Sequence, residues 1–285
     1  MANEKSVLVT GAGGGVGRQT VQRLQELGWR VFAGVRQRPD DQPPTGELIE
    51  LDITDALSID RAVDEITHRL AGRGLDGLVN NAGLSVDGPI ELVPIDALRR
   101  QFDVNLIGQV AVTQALLPLL RQDHGRVVNI GGAAGRLTLP MYGALSASKA
   151  ALDAITDALR MELRHQGLAV AYVEPGALRT PLFAKSARTA SQDRAAVAPE
   201  RERIYTQAVA AASAALHKSP ASPVDKAVHA IVRALTDRNP AARYPVGREP
   251  RMLLPILRKL PTKTRDRLVM QSLGLRRDMF ATPPS

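Results

Sequence analysis

The stretch Ser6-Val-Leu-Val-Thr10-Gly11-Ala-Gly-Gly-Gly-Val-Gly17 decides the fold of this 285-residue chain. A short β-branched run enters a glycine turn, and an amphipathic segment from Val21 to Leu27 follows. Strand, glycine turn and helix in that order open a nucleotide-binding βαβ unit. Gly11, Gly15 and Gly17, with Val16 between the last two, allow a tight turn and bring the backbone close to a pyrophosphate, whose charge is favoured at a helix N-terminus. Read by itself, the stretch is also compatible with a plain glycine turn.

The residues outward from it repeat the pattern. Arg30-Val-Phe-Ala-Gly-Val-Arg36 reads as a second strand. An acidic residue at the end of this strand binds the adenosine ribose in dinucleotide folds, whereas an Arg accommodates a 2′-phosphate. Val35 and Arg36 stand there, which favours NADPH over NADH; a solvated charge at a strand end is the competing reading of Arg36. A third strand runs from Glu47 into Asp52 and Ile53, a helix follows from Leu57 to Leu70, and a fourth strand from Leu75 leads into Asn80-Asn81-Ala82-Gly83. Ile95 to Leu120 is a long helical segment, Gly125 to Ile130 a fifth strand, Gly143 to Arg164 a helix and Leu168 to Val173 a sixth strand. A helix from Ser222 to Leu235 and an edge strand from Arg243 to Gly247 complete the alternation. Such alternation predicts an α/β fold: a single doubly wound Rossmann-type domain, with a parallel sheet of about seven strands and helices on both faces. We place this domain at residues 1–247, with an Ala-rich helical lid at about 181–223 and a basic amphipathic extension at 248–285.

Composition narrows the function. Apolar residues make up 44% of the chain and aromatics 3%, which suits an aliphatic α/β core. There is no cysteine, which excludes disulfides, thiolate metal sites and a cysteine nucleophile, and no metal site is expected. No unbroken apolar run reaches the roughly 18 residues of a membrane span, so a cytoplasmic protein is expected. The net charge of +8 is concentrated at the end: Arg248 to Asp278 holds nine Lys or Arg against three Asp or Glu. Few aromatics and no recognisable module argue against nucleic acid. The basic extension reads as a solvated helical tail or as a weak contact with a membrane surface.

Taken together, Thr10-Gly11-x-x-x-Gly15-x-Gly17, Asp52-Ile53, Asn80-Asn81-Ala82-Gly83 and Lys149 followed by small helix formers resemble the short-chain dehydrogenase/reductase family. The resemblance spans about residues 5 to 247 and implies a nicotinamide cofactor held by the glycine turn, by Asp52 and Ile53 at the adenine, and by Asn81, Ala82, Gly83 and Lys149. Pro175 and Gly176 match the family's Pro-Gly turn, and Thr180 its later threonine at the nicotinamide amide. Asn105 matches an Asn that interrupts a helix and holds a water in a proton relay to Lys149; a buried polar residue bonded to backbone is the competing reading. The extension resembles that of steroid- and retinoid-metabolising members. The family's pairing helices match Ile95–Leu120 and Gly143–Arg164, implying a homodimer or homotetramer.

Two catalytic positions depart from the family. Its Tyr falls on Leu145, one turn before Lys149, and its Ser on Gly132. Neither leucine nor glycine can donate a proton or a side-chain hydrogen bond. Tyr142 from the preceding loop, Ser146, or Lys149 with water or the substrate remain as proton sources. The expectation is an NADPH-dependent oxidoreductase with an atypical proton source, reducing a C=O, C=N or activated C=C bond of a small hydrophobic substrate. Three alternatives stay open: a non-redox isomerase, dehydratase or cyclase; a non-catalytic NADPH-binding protein; and an ordinary ketoreductase into which Gly132 and Leu145 were introduced.

Overall fold

Strand β1, Ser6–Thr10, is buried along its whole length, and the alternation of its side chains sets up both faces of the molecule. The computed structural model describes residues 4–37, 44–180, 186 and 199–280. Val7 and Val9 point to one face, where they pack with Val21 and Leu24 of helix α1 (Gly15–Glu26) and with Ala227 and Ile231 of helix α6 (Val224–Thr236). Leu8 points to the other, against Ile59 and Ile66 of α2 (Ala56–Leu70) and Leu116 and Leu120 of α3 (Ile95–Gln122). Two apolar layers therefore sandwich one sheet.

The remaining strands are β2 (Arg30–Val35), β3 (Glu47–Glu50), β4 (Gly77–Asn80), β5 (Arg126–Ile130), β6 (Ala169–Pro175) and β7 (Arg243–Val246). All seven form one sheet in the order β3-β2-β1-β4-β5-β6-β7, every pair parallel. The chain leaves β1 toward β2 and β3 on one side and returns to β4 on the other. This change of direction opens a crevice at the carboxyl ends of β1 and β4, where such sheets bind ligands. The doubly wound seven-stranded sheet read from the sequence is thus the fold of the protein.

Helix α3 holds a feature the apolar spacing did not reveal: residues Asp103–Ile107 form a π turn between two α-helical halves. The most apolar 18 residues of this 28-residue helix reach a mean hydropathy of 1.3, enough by length and composition to cross a membrane even though no unbroken apolar run is that long. Val112, Leu116, Leu119 and Leu120 are buried in the core, so this is a core helix of the sandwich.

Helix α4 (Gly143–Leu163) follows β5, and α5 (Pro199–Lys218) follows β6. Of the expected lid, residues 181–185 and 187–198 lie outside the described residues; α5 is the described part. Beyond β7, a π turn (Glu249–Leu253) leads to α7 (Leu254–Leu257) and α8 (Thr262–Ser272). Val269, Leu273 and Leu275 pack on Met141 and on Ala208 and Ala212 of α5, forming a satellite core over the loop that precedes α4.

Candidate cofactor and active site

The glycine turn is shaped by close approach. Gly11 has φ +63°, and a Cβ there would lie 2.8 Å from the Ala82 Cα. A Cβ on Gly17 would fall 2.3 Å from the Gly11 carbonyl and 2.7 Å from the Asn81 amide. Asn81 locks the turn from the β4 side, donating through Nδ2 to the carbonyls of Thr10 (3.0 Å) and Gly11 (3.1 Å). The Thr10 hydroxyl accepts from the backbone N–H groups of Asn81 and Ala82, each at 3.0 Å. Helix α1 begins with neither a side-chain cap nor an acidic residue in its first turn, so its positive end meets the exposed Gly13 and Gly14. This cradle fits a pyrophosphate.

Arg36 is exposed just past the end of β2, and its charge reaches Asp52. Burial raises the Asp52 pKa, but hydrogen bonds from Thr54 and the Arg36 charge outweigh it and hold the carboxyl below its usual range. Asp52 Oδ1 accepts from Thr54 N at 2.9 Å. Ile53 is buried beside it, its carbonyl 2.5 Å from where a Gly108 side chain would begin, so α3 abuts this corner.

Lys149 lies at the centre. It is half-buried as a residue with its ammonium enclosed, and Nζ donates to the Ile130 carbonyl at 2.7 Å. Burial lowers its pKa from 10.5 to about 8. A Cβ on Gly83 would sit 3.9 Å from this nitrogen and 3.4 Å from Asn105 Oδ1. Asn105 occupies the middle of the π turn and is buried. Its Oδ1 accepts from Leu84 N (2.9 Å), and its Nδ2 donates to the Leu84 carbonyl (2.9 Å) and to Ser148 Oγ (3.2 Å). The amide side chain is therefore committed to the neighbouring loop.

Of the two positions read from the sequence as departing from the family, Leu145 is buried and shares its helix face with Lys149. Gly132 has an extended backbone, and a Cβ there would meet nothing nearer than the Pro175 carbonyl at 3.7 Å. Tyr142, the N-cap of α4, packs its ring into the satellite core beside Met141 and α5; burial and the nearby Asp87 push its phenol up. Ser146 is buried, and its hydroxyl has no hydrogen-bond partner among the described residues. Gly176 donates its N–H to the Val246 carbonyl (2.9 Å), and Thr180 its own to Leu178 (2.9 Å), fixing the turn after β6 next to Pro175.

The profile of the short chain dehydrogenase family matches residues 5–191. The chain belongs to the short-chain dehydrogenase/reductase family. Among its relatives is a 3-amino-tetrahydro-pyrrolizinone reductase of Xenorhabdus hominickii, 40% identical over 203 residues, covering 70% of this chain and 71% of the relative. An NADPH-dependent 3-dehydrocapnine reductase of Ornithobacterium rhinotracheale is 33% identical over 280 residues, covering 93% and 96%. The crystal structure of a short chain dehydrogenase from Burkholderia cenocepacia J2315 in complex with NADP superposes with a TM-score of 0.72, at 28% identity over 93% of this chain and 98% of that one.

Two features of this family member escape the motif reading. Tyr172 of β6 is fully buried, and a Cβ on Gly131 would strike its ring at 1.8 Å. Its hydroxyl accepts from Gly132 N (3.3 Å) and donates to the Lys149 carbonyl (3.2 Å), joining both halves of the site. Next to it, Glu174 is 1% exposed and paired with Arg136 at 3.2 Å; burial raises its pKa against the pull of that Arg. Neither was flagged in the sequence, where Tyr172 reads as an ordinary strand residue and Glu174 as the start of the Pro-Gly turn. A groove of about 450 Å³ opens beside them, between Arg136, Leu137 and Pro140 of the loop after β5 and Arg265, Val269 and Met270 of α8.

Proposed function

We propose that this oxidoreductase is an NADPH-dependent reductase of a C=O, C=N or activated C=C bond in a hydrophobic organic substrate, with Lys149 as its proton source in place of the family's Tyr. One observation carries the reading: with Leu145 at the Tyr position and Gly132 at the Ser position, the Lys149 ammonium one turn on is enclosed and held at the Ile130 carbonyl, at 2.7 Å. Arg36 and the NADPH-dependent relative support NADPH over NADH. The glycine turn would hold the pyrophosphate, Arg36 the 2′-phosphate, Asp52 and Ile53 the adenine, and Asn81, Ala82, Gly83, Pro175, Gly176 and Thr180 the remainder. When bound, the cofactor supplies a hydride to the substrate carbon.

The chain's own contribution is a proton and an orientation. Lys149 gives a proton to the substrate heteroatom and is left as a neutral amine, which solvent protonates again. A lysine near pH 8 suits this role, since a general acid works best with its pKa close to ambient pH. The Ile130 carbonyl and the Asn105-bearing π turn hold Lys149 and its neighbouring loop in place. Val269, Met270 and Leu137 give the adjoining groove an apolar wall suited to an aliphatic or alicyclic substrate. The reductase names of both relatives support the reducing direction.

The test is NADPH oxidation by the purified chain against ketones, cyclic imines and enones. Consumption equal to product formed is expected. Tight NADPH binding with no turnover of any class would overturn the reading, and product without NADPH loss would transfer it to a non-redox reaction. We also propose that copies pair through α3 and α4, where Ile95, Ile107 and Met161 are about 60% exposed.

A further inference from the structure

The exposed apolar side chains of this protein concentrate where its cations do. Of the ten large hydrophobic residues that stand exposed among the described residues, three fall within five positions: Met252 at 57%, Leu253 at 46% and Ile256 at 61%. Leu254 between them is 1% exposed and anchors the segment inward, while Arg251 ties it to β7 by donating to the Pro245 carbonyl at 3.0 Å. The helical winding persists past α7, with Arg258 N bonded to Leu254 O (3.1 Å) and Lys259 N to Ile256 O (3.0 Å). Met252, Ile256 and Lys259 consequently follow one another at helical spacing on the outer side.

From Pro250 to Arg265 the sequence carries five Lys or Arg and no Asp or Glu. Among the described residues, Arg258, Lys259 and Lys263 have no acidic partner, and all three are exposed. An unpaired cationic rim around an exposed aliphatic centre is the composition of a segment that lies on an anionic bilayer, with the apolar residues at the acyl boundary and the cations among the headgroups. A second copy of this chain would bring five like charges against five, which disfavours self-pairing at this face.

We propose that the turn and helix spanning residues 249–263 dock this protein peripherally on an anionic lipid surface. Docking is reversible and salt-sensitive, since three aliphatic residues and three unpaired cations form a modest anchor.

The full chain is to be sedimented with phosphatidylcholine vesicles, with and without about one-third phosphatidylserine, at low and at high salt. Binding at least tenfold stronger to the phosphatidylserine vesicles, lost at high salt and lost in Arg258→Glu with Lys259→Glu, is expected. Met252→Ser with Ile256→Ser is expected to weaken binding to those vesicles at least fivefold while the melting temperature stays put, because both side chains are exposed. Equal or absent binding to the two vesicle types overturns the proposal. So does a dimer that Ile256→Asp dissolves in the absence of vesicle binding, which would assign the face to a second copy. Binding to polyglutamate without binding to vesicles would assign it to an acidic protein.

Discussion

At the smallest scale, the proposed chemistry turns on two adjacent glycines and one leucine. Position 132 has room for a Cβ and position 131 has none. Installing the family's pair, Gly132→Ser with Leu145→Tyr, is expected to raise ketone reduction roughly 10²- to 10⁴-fold, read as NADPH oxidation; each single change should give less. In the unaltered protein, carbonyl reduction is expected to fall about tenfold per pH unit above pH 8, because the ammonium form of Lys149 is then depleted. Lys149 also sets a stability signature. Its folded pKa of about 8 lies below 10.5, so the unfolded chain binds more protons between these values and stability rises with pH across that window. Below pH 8 the penalty for burying the charge is present in full. Lys149→Met, free of cofactor, should therefore be more stable than the parent at pH 7 by roughly 2 to 3 kcal/mol, a gap that closes toward about pH 10.5 in urea titrations.

At the scale of elements, the close packing of the glycine turn predicts a sharp loss. Gly17→Ala, whose Cβ would collide with the Gly11 carbonyl, is expected to weaken NADPH binding by more than tenfold in calorimetric titration. The strands and this turn were legible in the sequence because β-branched runs and glycines act locally, and alternation with helices implied a parallel sheet of about seven strands; their spatial order comes from the structure. The π turn around Asn105 was not legible in the apolar spacing; only the family resemblance implied an interruption of the helix there. One extra residue in a turn leaves the apolar spacing on either side of it nearly unchanged, so the segment reads as one helix. The partnership of Tyr172 with Gly131 was hidden for another reason: it joins residues 41 apart in sequence, and neither departs from what its strand or turn ordinarily contains. Tyr142 illustrates the reverse. Its nearness to Lys149 along the chain made it a candidate, whereas the apolar residues of α5 and α8 claim its ring.

The whole molecule is held together at its far end by the satellite core. Truncation after Leu260 would uncover Met141, Ala208 and Ala212, and is expected to lower the melting temperature and increase binding of a hydrophobic dye. Its Met141 immediately precedes the Tyr142 cap of α4, so the Michaelis constant should rise as well. Pairing of copies through α3 and α4 is expected to fail in Ile107→Asp with Met161→Asp, read as a halved or quartered mass by light scattering, with the fold retained because both side chains are exposed. The contrast between positions 131 and 132 reaches further than catalysis. The Tyr172 phenol stands behind the first glycine like a wall, so a side chain there would collide with the fold itself, while at the second a Cβ would make only ordinary contacts. Hydroxyl-assisted chemistry is therefore within one substitution's reach on this side of the site, because the scaffold would not have to move to accommodate a serine at 132.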